Sequence, residues 1–225
     1  MKGEKQMISK LIIFDFDGTI ADSMWAWDEL GSDTLKENGL PPLKNYDKVI
    51  RTMSVPDFSV FLTDKYRELG AADELMAKWH DKMIYNYCNR VKLKNGIVEF
   101  LTFLKAEGYT VYLASATHLR VLTRAIEHFD LKKFFDFIIT EEIVGVSKRD
   151  PKIYELCMEK AGSVPDTTYL FEDAVHAVTT AKKLGINVCA LSDASMIEYK
   201  TDVMRNSDIY VDDFLNFDLL QKFVK

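Results

Sequence analysis

Two aspartates stand two residues apart in the run Phe14-Asp15-Phe16-Asp17-Gly18-Thr19. On an extended backbone such residues share a face. Gly18 then permits a sharp exit, and the amides that follow can turn toward an anion. Far along the chain, Glu172-Asp173 offers two more carboxylates, and Ser115 and Lys148 offer a hydroxyl and an ammonium. Gathered carboxylates repel one another unless a hard cation sits among them, and oxygen donors suit magnesium. A carboxylate that touches the metal and faces a phosphate can act as a nucleophile and become an aspartyl-phosphate. Its neighbour two residues on can carry a proton. Ser115 can donate a hydrogen bond to phosphate oxygens, and Lys148 can balance carboxylates and phosphate together. Magnesium would neutralise developing charge and position the phosphoryl group.

Such a set works only if the fold assembles it. Each acidic or hydroxyl group ends a short apolar run. Leu11 to Phe14 ends in Asp15, Val111 to Ala114 in Ser115, and Tyr169 to Phe171 in Glu172-Asp173. Phe135 to Ile139, Val188 to Leu191 and Ile209 to Val211 are similar runs. Continuous apolar runs fit strands buried on both faces of a parallel sheet. Between them lie helical patterns, marked by Ile97/Phe100/Leu101/Leu104, Val121/Leu122/Ala125/Ile126, Ile153/Leu156/Cys157/Ala161 and Val178/Ala181/Leu184. Strand and helix in alternation give an α/β fold, a Rossmann-like parallel sheet. Ligands of such sheets bind beyond the carboxyl ends of the strands, which is where the polar groups stand. Lys148 is expected in the loop before the helix that Pro151 opens.

The alternation breaks from about Met24 to Asn89, where the periodicity is helical and no strand is convincing. Trp25, Leu30 and Leu35 mark one helix, Phe58, Phe61, Leu62 and Tyr66 another, and Leu75, Trp79, Met83 and Tyr87 a third. Crossovers are usually much shorter, so this is a small all-helical insert. The expected division is 1–22 core, 23–91 helical cap and 92–225 core.

Lysine plus arginine number 29 and aspartate plus glutamate 35, a net charge of −6. That argues against nucleic acid as a partner on a broad basic face. With 48% hydrophobic and 28% charged residues the chain is globular. Three scattered cysteines, Cys88, Cys157 and Cys189, read as free thiols of a reducing compartment. No apolar run reaches a membrane span, and Leu11 to Phe14 is too short for a signal-peptide core. The expectation is a cytoplasmic protein with a small phosphorylated metabolite as partner, no membrane and no obligate protein partner.

The motifs resemble, in order, the four of the haloacid dehalogenase-like (HAD) hydrolase superfamily. Asp15 to Thr19 resembles the first, Ser115 the second, Lys148-Arg149-Asp150-Pro151 the Lys-Pro-x-Pro of the third, and Phe171-Glu172-Asp173 the fourth. The insert resembles the helical cap of subfamily I, as in phosphoglycolate phosphatase and β-phosphoglucomutase-like proteins. The resemblance implies that Asp15 is nucleophile and metal ligand. Asp17 would be general acid and base, its backbone carbonyl on the metal. Gly18, Thr19, Ser115 and Ala116 would surround the phosphate, and Lys148 would stabilise the phosphoaspartate. Asp173 would ligate magnesium, with Glu172 in or near the metal shell. Asp17 favours a phosphatase over a dehalogenase, because an alkoxide leaving group needs a proton. Two departures are Arg149 for the motif's first proline and Ala174 where serine is frequent.

Plainer roles exist. Ser115 could cap the helix containing Val121, and Glu172 and Asp173 could complement a helix dipole. Trp27 and Met53, with Phe58, are candidates for substrate contact, whereas Trp25 reads as cap core. Of the histidines, His176 should lie nearest the site. The runner-up is a sugar-phosphate mutase of the β-phosphoglucomutase type. Its cap histidine and the arginine of its Val-Ser-Arg-like stretch are replaced here by Trp27 and by Val55 after Ser54. A non-catalytic phosphate-ester sensor is the other alternative, against which the intact set Asp15, Asp17, Lys148 and Asp173 argues.

Overall fold

The computed structural model describes residues 9–50 and 53–225, so most of the charged stretch Met1–Lys10 lies outside it. The chain divides into two compact units, one running up to Asp22 and resuming at Lys92–Lys225, the other Ser23–Val91.

The larger unit is an α/β fold. Its strands are β1 (Leu11–Phe14), β2 (Ala21–Asp22), β3 (Lys92–Leu93), β4 (Thr110–Ser115), β5 (Phe137–Thr140), β6 (Thr168–Glu172), β7 (Asn187–Leu191) and β8 (Ile209–Val211). Six of them form one sheet in the order β5-β4-β1-β6-β7-β8, with every pairing parallel. β2 and β3 pair antiparallel through Ala21↔Leu93 and Asp22↔Lys92.

All four residues of β1 are fully buried because helices cover both faces of the sheet. Successive side chains alternate between faces. Leu11 and Ile13 pack with Ile153, Cys157, Val178 and Ala181 from the helices Lys152–Ala161 and Val175–Lys183. Phe14 faces the other way. It stacks on Phe171 at 4.6 Å between ring centres and meets Phe100 edge-on at 6.3 Å, the latter from the helix Ile97–Ala106. Burying an aromatic or aliphatic side chain of this size is worth about 1.5–3 kcal/mol, so the strand between the two layers anchors the unit.

The strand expected at Phe135 begins two residues later. Lys132–Phe134 is a 3-10 turn, and Phe135 serves as its cap. A short helix, Glu141–Val144, also intervenes before the loop carrying Lys148.

The smaller unit consists of the helices Met24–Glu37, Tyr46–Ile50, Val55–Lys65 and Ala72–Asn89, with a 3-10 turn at Arg67–Leu69. Trp79 is its buried tryptophan, 1% exposed, its indole donating to Thr34 Oγ1 at 2.8 Å. Phe58 stacks on Trp79 at 5.9 Å and belongs to this core. Gly31 lies where a Cβ would meet the Phe58 ring at 2.5 Å, so glycine lets the two helices approach. Trp25, expected as cap core, is instead half-buried with the Arg90 guanidinium 4.5 Å from its ring centre. Trp79, sitting four residues from Leu75 and from Met83, takes the central place that Trp25 was expected to fill. Trp27 is half-buried and donates its indole N–H to Tyr87 Oη at 3.2 Å. Met53 is exposed. Among the described residues no helix is long and apolar enough to cross a membrane.

Candidate active site

The strand order runs outward from β1 through β4 to β5, then returns to β6 and continues to β8. Direction therefore reverses between β1 and β6, and in open α/β sheets the ligand crevice opens at such a point. Asp15 and Asp17 follow β1, and Glu172 and Asp173 end β6. The register aligns Phe14 with Phe171, and Asp15 N–H donates to the Phe171 carbonyl at 2.9 Å. The sheet itself thus brings the first and last motifs together.

One carboxylate oxygen from each of Asp15, Glu172 and Asp173 lies within 4.8 Å of the others, and all three residues are buried. Lys148 Nζ donates to Asp15 Oδ1 and, at 2.8 Å, to Glu172 Oε2. Burial, then repulsion from Glu172, holds the Asp15 carboxyl well above the usual carboxylate range, against the pull of Lys148. Asp173 is raised for the same first reason, with Glu172, Asp15 and Asp193 adding to it. Burial opposes the charge on Lys148, but Asp15 and Glu172 outweigh it and hold the ammonium well above its ordinary value. One ammonium faces three carboxylates, and uncompensated buried charge is costly. An all-oxygen donor set that wants further positive charge fits a hard divalent cation.

The turn after β1 is held by Gly18 N–H to Ala21 O at 2.8 Å and Ile20 N–H to Phe16 O at 2.9 Å. Gly18 has φ +80°, and a Cβ there would lie 2.6 Å from Asp173 Cγ. Thr19 is fully buried and its hydroxyl donates to Asp173 Oδ1 at 3.3 Å. Asp17 Oδ2 accepts from Thr117 Oγ1 at 2.6 Å. Ser115 Oγ accepts from Thr117 N–H at 3.0 Å, while Ala116 between them is exposed. Ser115 does not cap the next helix. His118 does, its Nδ1 accepting from Arg120 N–H at 3.2 Å.

Arg149 changes the third motif without releasing Lys148. Glu141 Oε1 accepts from Lys148 N–H at 2.7 Å, and Asp150 Oδ1 accepts from Lys152 N–H at 2.9 Å. Two carboxylates fix the loop where a proline is absent. Ala174 N–H donates to Glu172 Oε1 at 3.1 Å, so the position's backbone contributes although its side chain cannot. His176 is mostly buried, which lowers its pKa while Glu172 opposes the shift. Trp27 and Met53 belong to the helical unit.

A family model described as haloacid dehalogenase-like hydrolase matches residues 12–191. The chain belongs to that family.

Among curated HAD relatives, a phosphorylated carbohydrates phosphatase of Thermotoga maritima is 27% identical over 177 residues, 78% of this chain and 81% of that protein. Hexitol phosphatase B of Escherichia coli is 28% identical over 182 residues, 76% and 78% of the two chains. A solved HAD hydrolase of family IA, variant 3, from Entamoeba histolytica superposes with TM-score 0.79 at 18% identity, covering 97% of this chain and 98% of that one. Its likeness supports the HAD fold.

Three residues of this HAD centre escaped sequence reasoning. Thr117 could have been found as a hydroxyl two positions after Ser115, matching the spacing of Asp15 and Asp17. Asp193 stands two residues past the apolar run that Leu191 closes, as Asp173 stands two past Phe171, so the same spacing points to it. It pairs with Lys94 at 3.1 Å and accepts from Ser195 N–H and Oγ. Tyr154 left no signal in the sequence. It is fully buried on the helix Lys152–Ala161, its pKa raised first by burial and then by Glu172. Among the described residues its hydroxyl has no hydrogen-bond partner.

Proposed function

We propose that the protein is a magnesium-dependent phosphatase that hydrolyses a small-molecule phosphate monoester through phosphorylated Asp15. The reading rests on one observation: Asp15, Glu172 and Asp173 converge while Lys148 joins Asp15 to Glu172. Asp15, Asp173 and Glu172, with the Asp17 carbonyl, would hold magnesium, which when bound supplies positive charge against the phosphoryl oxygens. Asp15 attacks phosphorus, and the bond to the ester oxygen breaks. Asp17 gives its proton to the departing alkoxide, then takes one from the water that attacks the phosphoaspartate and frees inorganic phosphate. Lys148 offsets charge on Asp15 before and during transfer. Ser115 Oγ accepts from the Thr117 backbone N–H, and its own hydroxyl would donate to a phosphoryl oxygen. The curated relatives named for carbohydrate and hexitol phosphates make phosphorylated sugars and sugar alcohols the first class to try.

The test is phosphate release with magnesium from sugar phosphates, sugar-alcohol phosphates, nucleoside monophosphates, phosphoglycolate and pyridoxal phosphate, alongside Asp15→Asn. Release from at least one ester, lost by several orders of magnitude in folded Asp15→Asn and on chelation, is the expected result. Near-normal turnover in that variant would overturn the mechanism. Interconversion of glucose 1- and 6-phosphates without phosphate release would mean that a sugar hydroxyl, in place of water, accepts the phosphoryl group.

A further inference from the structure

We propose that Thr117 is a positioning residue for Asp17, holding the orientation of its carboxyl group for proton delivery to the leaving group. The inference rests on the phosphatase reading and deepens it. Thr117 and Asp17 lie 100 residues apart in the chain, yet the hydroxyl donates to Asp17 Oδ2 at 2.6 Å, and the contact is buried. That length marks a short, well-formed hydrogen bond between two oxygen atoms. Two features fix the donor. Thr117 N–H is tied to Ser115 Oγ at 3.0 Å, which locks the backbone beyond β4. The β-branched side chain of threonine is also stiff about χ1, and Thr117 is only 5% exposed.

The consequence for Asp17 is directional. The Thr117 hydroxyl on Oδ2 sets the direction in which the carboxyl group faces. The carboxyl plane is held while the proton is passed, so transfer does not wait on a rotation. The same three-residue stretch thereby serves both halves of the reaction, Ser115 toward phosphate and Thr117 toward the acid.

Leaving-group dependence separates this role from a merely structural one. A 4-nitrophenolate departs without a proton, whereas phenolate and alkoxides depart poorly without one. The experiment measures kcat/KM for 4-nitrophenyl phosphate, phenyl phosphate and the best alkyl ester of the panel, in wild type, Thr117→Val, Thr117→Ser, Asp17→Asn and the Asp17→Asn/Thr117→Val double variant. Since kcat/KM reports only through the first irreversible step, hydrolysis of the phosphoaspartate does not mask the effect. A positioned general acid is worth about 10²–10⁴-fold. Thr117→Val should therefore lose at least about tenfold on the alkyl ester and change little on 4-nitrophenyl phosphate. Thr117→Ser should restore the wild-type pattern, and Thr117→Val should add nothing once Asp17→Asn is present.

An equal loss across all three esters, or additivity in the double variant, would overturn the role of Thr117 while leaving the phosphatase intact. Failure of Asp17→Asn itself to show leaving-group dependence would overturn the role of Asp17, and with it that of Thr117. Thr117→Ala, which only removes atoms, carries the same comparison if the valine variant does not fold.

Discussion

Gly18 stands where both the backbone and the neighbouring Asp173 exclude a side chain. Its φ of +80° costs a side-chain-bearing residue about 1–2 kcal/mol, and an added Cβ would occupy the place of the Asp173 carboxylate. Gly18→Ala should leave the protein folded, with a modest drop in melting temperature. It should lower turnover by about 10²-fold or more, the usual cost of displacing a reacting group by an ångström. Parallel thermal melts and phosphate-release assays would check this. Equal activity in the variant would show that Asp173 can move aside freely. At this scale the sequence was informative wherever type and position coincided. Asp15, Glu172 and Asp173 could be read because a carboxylate at the end of an apolar run has few purely structural uses. Thr117 and Tyr154 could not, because hydroxyls occur everywhere and only three-dimensional neighbours distinguish them. The hydrogen bond from Thr19 to Asp173 could not be read either, because the two lie 154 residues apart in the chain.

At the scale of elements, the sheet was readable because its strands are buried on both faces and so appear as unbroken apolar runs. The start of β5 was misplaced because Phe134 and Phe135 look like strand but close a 3-10 turn. The helix after β4 starts from His118, so the capping role open to Ser115 falls to a residue three positions on. Trp25 was misjudged because helical periodicity identifies a face but not which aromatic reaches the centre. The centre of the helical unit yields a prediction of its own. Replacing glycine by alanine inside a helix ordinarily stabilises it by about 0.5–1 kcal/mol. At Gly31 the new methyl would instead press on Phe58 at 2.5 Å, and overpacking costs about 1–3 kcal/mol. Gly31→Ala should therefore shift urea unfolding to lower concentration, with a net loss of about 1–2 kcal/mol. A gain in stability would mean that the Phe58 ring yields.

Over the whole molecule, charge balance governs behaviour. The chain carries a net charge of −6, and at one buried cluster Lys148 donates to Asp15 and Glu172 with the Asp173 carboxylate beside them. Magnesium should stabilise the folded chain in differential scanning fluorimetry, since a ligand at a hundred times its Kd adds about 2.7 kcal/mol. For a protein of this size that corresponds to a rise of about 5–10 °C. Asp173→Asn should lack the response. In EDTA it should melt no lower than wild type, because it removes one of the mutually repelling carboxylates. A wild-type melting point indifferent to magnesium would contradict the proposed donor set.

The position of β1 also bears on how the protein is made. Among the described residues β1 is a middle strand of the sheet, and its two neighbours begin only at Thr110 and Thr168. Until both have been synthesised, Leu11–Phe14 has an open edge, the kind of surface on which nascent chains aggregate. Pairings between such distant segments are slow to close. The sheet joint that aligns Asp15 with the end of β6 cannot form before Thr168–Glu172 has been made, so the cluster of Asp15, Glu172 and Asp173 cannot assemble on a nascent chain that stops short of it.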